Sequence, residues 1–166
     1  NDNQALHLPP GSRYARHIRS VLKMYERVGA AVRDTLRDGR FPLLISGDHS
    51  SSGGTIAGIK MAYPESRLGV IWIDAHADLH SPYTTPSGNM HGMPLSTALN
   101  EDNIEEKVND IDYEVIELWE MLKNVGDISP KIEYRDLIYI TLRDSPDERV
   151  QQQLETLLEV VPWSKE

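Results

Sequence analysis

The stretch LGVIWIDAHADLH, residues 68–80, decides the fold: a short apolar run drives straight into two aspartates and two histidines. A continuous run of this kind reads as a buried strand of a parallel sheet. Charge placed beside a core costs free energy unless something offsets it, so Asp74, His76, Asp78 and His80 call for a compensating partner. On an extended chain alternate residues share a face. Asp74, His76 and Asp78 are therefore expected on one side at intervals of about 6.7 Å, with a cation between them as the natural compensation.

Working outward, FPLLIS at 41–46 and LIYITL at 137–142 repeat the apolar pattern, giving three expected central strands. Between the first two, SSSGGTIAGIKMAY supplies hydroxyl caps, glycines for close approach and then a helix that stops before Pro64. A helical stripe runs through Tyr14, Ile18, Val21, Leu22, Tyr25, Val28, Val32 and Leu36, and Gly39 ends it. DYEVIELWEMLK at 112–123 and DERVQQQLETLLEV at 147–160 read as further amphipathic helices. Residues 79–94, rich in proline, glycine and hydroxyls, form the loop that follows the central strand.

Alternating helix and strand implies an α/β domain, a three-layer αβα arrangement around a mainly parallel sheet. Residues 1–166 are expected to form a single such domain. Three strands make a small sheet, and no edge strand or closing element shows at either end. The fold is therefore expected to be incomplete, lacking amino- and carboxyl-terminal parts.

The bulk properties narrow the chemistry. The chain has no cysteine, so any metal must be held by oxygen and imidazole nitrogen. A formal charge of -9 argues against a general nucleic-acid binder. Residues 1–100 hold ten Lys/Arg and eight Asp/Glu, against seven and eighteen in 101–166, so the acidity lies on later, solvated helix faces. No apolar stretch approaches the roughly 20 residues of a membrane span, and NDNQALHLPPG is not a signal peptide. A cytoplasmic protein that uses neither membrane nor nucleic acid is expected.

His49 follows the first apolar run, in SGDHS. In an open α/β sheet the carboxyl ends of neighbouring strands form the site, which would bring this imidazole to the Asp/His cluster. Two carboxylates with imidazoles and no thiolate suit manganese, ahead of zinc, iron or cobalt. His80 lies farther into the loop, where a substrate contact or a plain loop histidine is expected rather than a fifth ligand.

SGDHS, DAHAD and SGNMHGMP, in this order and spacing, resemble the ureohydrolase family and especially the arginases. The resemblance spans about residue 14 to Asp144. It implies manganese-dependent hydrolysis of L-arginine to L-ornithine and urea by a hydroxide, formed because two Mn2+ ions lower the pKa of the water that bridges them. It further implies His49 and Asp78 as ligands of one ion, His76 as a ligand of the other and Asp74 bridging both. His91 resembles the family's proton-shuttling histidine. TTPSGN resembles the segment that recognises the substrate's α-carboxylate, through Thr85, Ser87 and Asn89, and Asp144 matches a residue that helps to hold the amino group. Assembly as a homo-oligomer, a trimer or hexamer, follows from the same resemblance.

Departures keep two alternatives open. His80 stands where arginases commonly carry asparagine, which leaves room for another ureohydrolase of agmatinase or formiminoglutamase type. A second aspartate pair, D-x-D-x-x-D-P in the family, does not occur in the chain. Asp74 and Asp78 bring only two negative charges to two divalent ions. A non-catalytic truncated domain that binds metal or a partner is the second alternative.

Overall fold

The computed structural model describes residues 9–143. Asp144 and the helix expected at 147–160 lie outside the described residues. The chain runs through helix α1 (Ile18–Arg37), α2 (Ser51–Ala62), strand β1 (Val70–Ile73), α3 (Pro94–Leu99), α4 (Tyr113–Lys123) and strand β2 (Leu137–Ile140). Short 3-10 turns occupy Met90–Gly92, Ile104–Glu106 and Tyr134–Asp136.

Helix α1 buries Ile18, Leu22, Tyr25, Gly29 and Val32, the stripe that its sequence spacing predicts. It packs closely on α2, because glycines let the two backbones approach. A Cβ added to Gly54 would lie 2.8 Å from Tyr25 Cα, and one on Gly58 would lie 2.6 Å from the Gly29 carbonyl oxygen. That approach fixes α2, whose amino-terminal end begins at Ser51, two residues after His49. From the opposite side α4 contributes Val115, Leu118, Trp119 and Leu122 to the same core.

β1 and β2 pair in parallel, with Val70 opposite Leu137 and Ile73 opposite Ile140. Between them the chain crosses over through α3 and α4, as a parallel connection requires. One face of the pair, carrying Trp72 and Leu137, packs against Leu95, Ala98 and Leu99 of α3 together with Ile56 and Ile132. The other face presents Ile71, Ile73, Ile138 and Ile140, all exposed. The α/β class stands, with helices covering one side of this sheet among the described residues.

The first expected strand is corrected. Residues 41–46 join no ladder among the described residues, and Phe41, Leu43 and Ile45 are 82–90% exposed. Apolar content does not make a strand without a neighbour to accept its backbone hydrogen bonds. Here the described sheet consists of β1 and β2 alone. Helix α3 was not expected either: all six of its residues are buried, so it has no polar face to set up a helical period.

Candidate metal centre

β1 ends at Ile73, and the next residue still belongs to the ladder, since Asp74 N–H donates to Ile140 O at 3.2 Å. The backbone then turns. Residues 74–76 bend, and Asp78 takes a left-handed conformation at φ 51, one that Asp and Asn tolerate better than most side chains. The segment is therefore not the extended strand expected from its spacing. Its aspartates meet because the chain folds back, not because alternate residues share a pleat.

The β2 side holds this turn in place. Tyr139 O–H donates to Ala77 O at 2.6 Å, and Arg143 N–H donates to Ala75 O at 3.2 Å. Burial and the nearby carboxylates of Asp78 and Asp74 push the Tyr139 phenol up, so it stays protonated and remains a donor.

His49, Asp74 and Asp78 converge, each offering a ligand atom within 4.8 Å of the others. His49 Nδ1 donates to Asp78 Oδ2 at 3.1 Å and stands 2.8 Å from Asp74 Oδ2. The second contact is close but lacks hydrogen-bond geometry, which leaves Asp74 Oδ2 buried without a hydrogen-bond partner among the described residues. The other oxygen, Asp74 Oδ1, accepts the His76 N–H at 3.1 Å. Trp72 meets the His49 ring edge-on, with centroids 5.4 Å apart and planes at 75°.

Asp78 is 7% exposed, and its carboxyl is pushed up to about 6. Burial is the largest cause and repulsion from Asp74 follows. His49 pulls the other way through its hydrogen bond and charge, and His91 adds a smaller pull. Two carboxylates sharing one imidazole nitrogen, one of them with an orphaned oxygen, are short of positive charge. A divalent cation fits that deficit with oxygen and nitrogen donors.

The cluster forms the wall of a cavity of about 660 Å³ that also meets Asp48, His80, Thr85, Ser87, Asn89, His91 and Arg143. His76 lines it too, but its side chain is 73% exposed and its Nδ1 lies 3.5 Å from Asp74 Oδ1, outside the three-residue group. His80 is fixed through its N–H to Gly92 O at 3.0 Å and through Nδ1 beside Thr84 Oγ1 at 3.3 Å. His91 sits in the 3-10 turn Met90–Gly92.

Thr85 organises the loop. Its Oγ1 accepts the N–H groups of Ser87 at 3.3 Å and Gly88 at 3.0 Å, and its carbonyl accepts Asn109 Nδ2 at 2.7 Å. Ser87 Oγ in turn accepts the Asn89 N–H at 3.2 Å. Each hydroxyl keeps its own proton to donate.

The Arginase family model matches residues 5–159. The chain belongs to the arginase family. It is 38% identical over 133 residues to the arginase of Bacillus caldovelox, covering 80% of this chain and 38% of that protein. Against Arginase-1 of Homo sapiens it is 38% identical over 126 residues, covering 76% of this chain and 34% of the relative. The native Bacillus caldovelox arginase structure at pH 5.6 superposes with a TM-score of 0.72 at 36% identity, over 89% of this chain and 43% of that one. Arginase from Bacillus subtilis gives 0.69 at 30% identity, over 90% and 48%. The chain thus spans less than half the length of these relatives.

Within this arginase-family chain, SGDHS, DAHAD and SGNMHGMP all reach one cavity. Trp72 and Tyr139 were not marked by the sequence. Both sit inside apolar runs, where an aromatic reads as core. Among the described residues, no helix is long and apolar enough to cross a membrane.

Proposed function

We propose that the protein carrying this chain is a manganese-dependent arginase that hydrolyses L-arginine with one water to L-ornithine and urea. The observation that carries this reading is the convergence of His49, Asp74 and Asp78 around a buried carboxylate oxygen with no hydrogen bond. His49, Asp74 and Asp78 would hold the cation, and His76 adds a further imidazole at the rim once its exposed ring turns inward. A bound divalent ion supplies Lewis acidity and a water acidic enough to act as a nucleophile near neutral pH.

The chain's own residues do the rest. The substrate's guanidino group would lie at the end of the cavity where His49, Asp74 and Asp78 would hold the cation. His91 on the cavity wall delivers a proton from its imidazole to the departing amine nitrogen. Thr85, Ser87 and Asn89 present hydroxyl and amide donors to the α-carboxylate at the loop end, with His80 beside them. Asp144 follows Arg143 of the lining and is assigned to the substrate amino group. Tyr139, by holding Ala77, positions the turn that carries both aspartates.

The test is hydrolysis with added Mn2+, read as urea from L-arginine and agmatine and as formamide from formiminoglutamate. Urea from arginine with weak or absent turnover of the other two is the expected result. No product from arginine alongside turnover of another compound would assign a different ureohydrolase. The three-donor group supports a second reading, a metal-binding domain without turnover. Substoichiometric metal and no product from any of the three substrates would favour it. A homo-oligomer, trimer or hexamer, in the cytoplasm completes the proposal, and light scattering of the purified protein checks the assembly.

A further inference from the structure

A second cavity of about 370 Å³ adjoins the first and shares Asp48, Asn89 and His91 with it. Arg16, His17 and Ser20 form its other wall. Asp48, Asn89 and His91 therefore border both cavities, and Arg16 lines the second, beside the one that Asp74 and Asp78 line.

Arg16 is anchored by its backbone. Its N–H donates to Gly88 O at 2.9 Å, the residue forms an antiparallel bridge with Gly11, and the next N–H, of His17, donates to Pro10 O at 2.7 Å. Gly88 has φ +74, and a Cβ there would run into the Arg13 carbonyl and lie 3.0 Å from Tyr14 Cα. The segment before α1 and the loop 85–89 therefore close directly on each other. A ligand that reaches Asn89 also comes within the reach of Arg16.

The guanidinium is oriented without being neutralised. Its Nη1 lies 3.5 Å from Asn89 Oδ1, a long contact to a neutral acceptor. Arg19, one turn on, is paired with Glu114 at 2.6 Å, whereas no carboxylate among the described residues lies within ion-pair distance of Arg16. Asp48 lines the same cavity, but its Oδ1 already accepts Ser50 N–H at 2.9 Å and the Ser50 hydroxyl at 2.5 Å. A planar guanidinium with donors to give is suited to a carboxylate.

We propose that Arg16 is a specificity-determining residue that binds the carboxylate of a dipolar guanidino substrate whose guanidino group lies at the metal-binding end of the first cavity. This rests on the ureohydrolase reading and sharpens it, since guanidino compounds without a carboxylate are then poor ligands.

Calorimetric titration of the Mn2+-supplemented protein with L-arginine and with agmatine tests it, in wild type, Arg16→Gln and Arg16→Lys. Wild type is expected to prefer arginine, and Arg16→Gln to lose about tenfold or more in arginine affinity, the scale of a charge-assisted hydrogen bond. Agmatine binding should stay unchanged, and Arg16→Lys should keep part of the preference. An equal loss for both ligands would show that Arg16 only braces the loop and would overturn this inference alone. Unchanged arginine affinity in Arg16→Gln would overturn it as well. Wild type that binds neither compound would overturn the ureohydrolase reading together with it.

Discussion

Replacing Asp78 by asparagine separates what the site does for function from what it does to the fold. Asp78 is almost fully buried, and its carboxyl is raised from an ordinary 3.8 to about 6 by burial and by Asp74. A group that holds its proton more tightly when folded opposes folding once it ionises. The metal-free protein should therefore lose stability as pH rises from about 4 through 6, then level off. At 1.36 kcal/mol for each tenfold in proton affinity, the full cost is about 3 kcal/mol. An asparagine in its place would carry no charge, would still accept from His49 through its amide oxygen, and would tolerate the left-handed φ of 51 at this position. In chelator at pH 7.5, Asp78→Asn should be more stable than wild type by about 1–3 kcal/mol, read from urea unfolding midpoints at constant slope. With Mn2+ the order should narrow or reverse, because only wild type keeps both carboxylates for the cation. A variant less stable than wild type in chelator would refute the view that two crowded carboxylates strain the metal-free site.

Other consequences are simpler to state. Gly58→Ala pushes a methyl to 2.6 Å from the Gly29 carbonyl and should cost about 1–3 kcal/mol in chemical denaturation. No loss would mean that α1 and α2 are not packed this closely. Tyr139→Phe removes the bond to Ala77 O; about 1 kcal/mol of stability should go with it, together with a several-fold weaker Mn2+ affinity by calorimetry. Unchanged affinity would separate the turn from β2. Burial lowers Lys131 to about 8, while its ammonium still donates to the carbonyls of Lys123 at 2.6 Å and Ile128 at 3.0 Å. Since folding disfavours its charged form, stability should rise with pH between about 8 and 10.5 in wild type, and this rise should vanish in Lys131→Met.

Much of this architecture was legible because burial leaves a periodic trace. The stripe from Ile18 to Val32 and the runs at 70–73 and 137–140 became α1, β1 and β2. The failures have physical causes. Residues 41–46 carry the composition of a strand, yet pairing depends on neighbours that a local pattern cannot reveal. PLSTAL became a helix without showing a period because every side chain is buried. At the site, the donor types were readable from DAHAD and SGDHS, but their geometry was not. Strand alternation predicts three ligands on one face, whereas the turn at 74–78 brings Asp74 and Asp78 to His49 and leaves His76 at the rim. Backbone conformation at Asp78 made that difference, and no side-chain period encodes it.

The central claim is that His49, Asp74 and Asp78 together hold a divalent cation. Its most direct test is equilibrium binding of Mn2+, followed by the paramagnetic signal of the free ion, to wild type and Asp74→Asn at matched concentrations. Wild type should show saturable binding that Asp74→Asn loses by a factor of about ten or more, as expected when a buried carboxylate donor is neutralised. Equal binding by the two proteins, or none by wild type, would contradict the account.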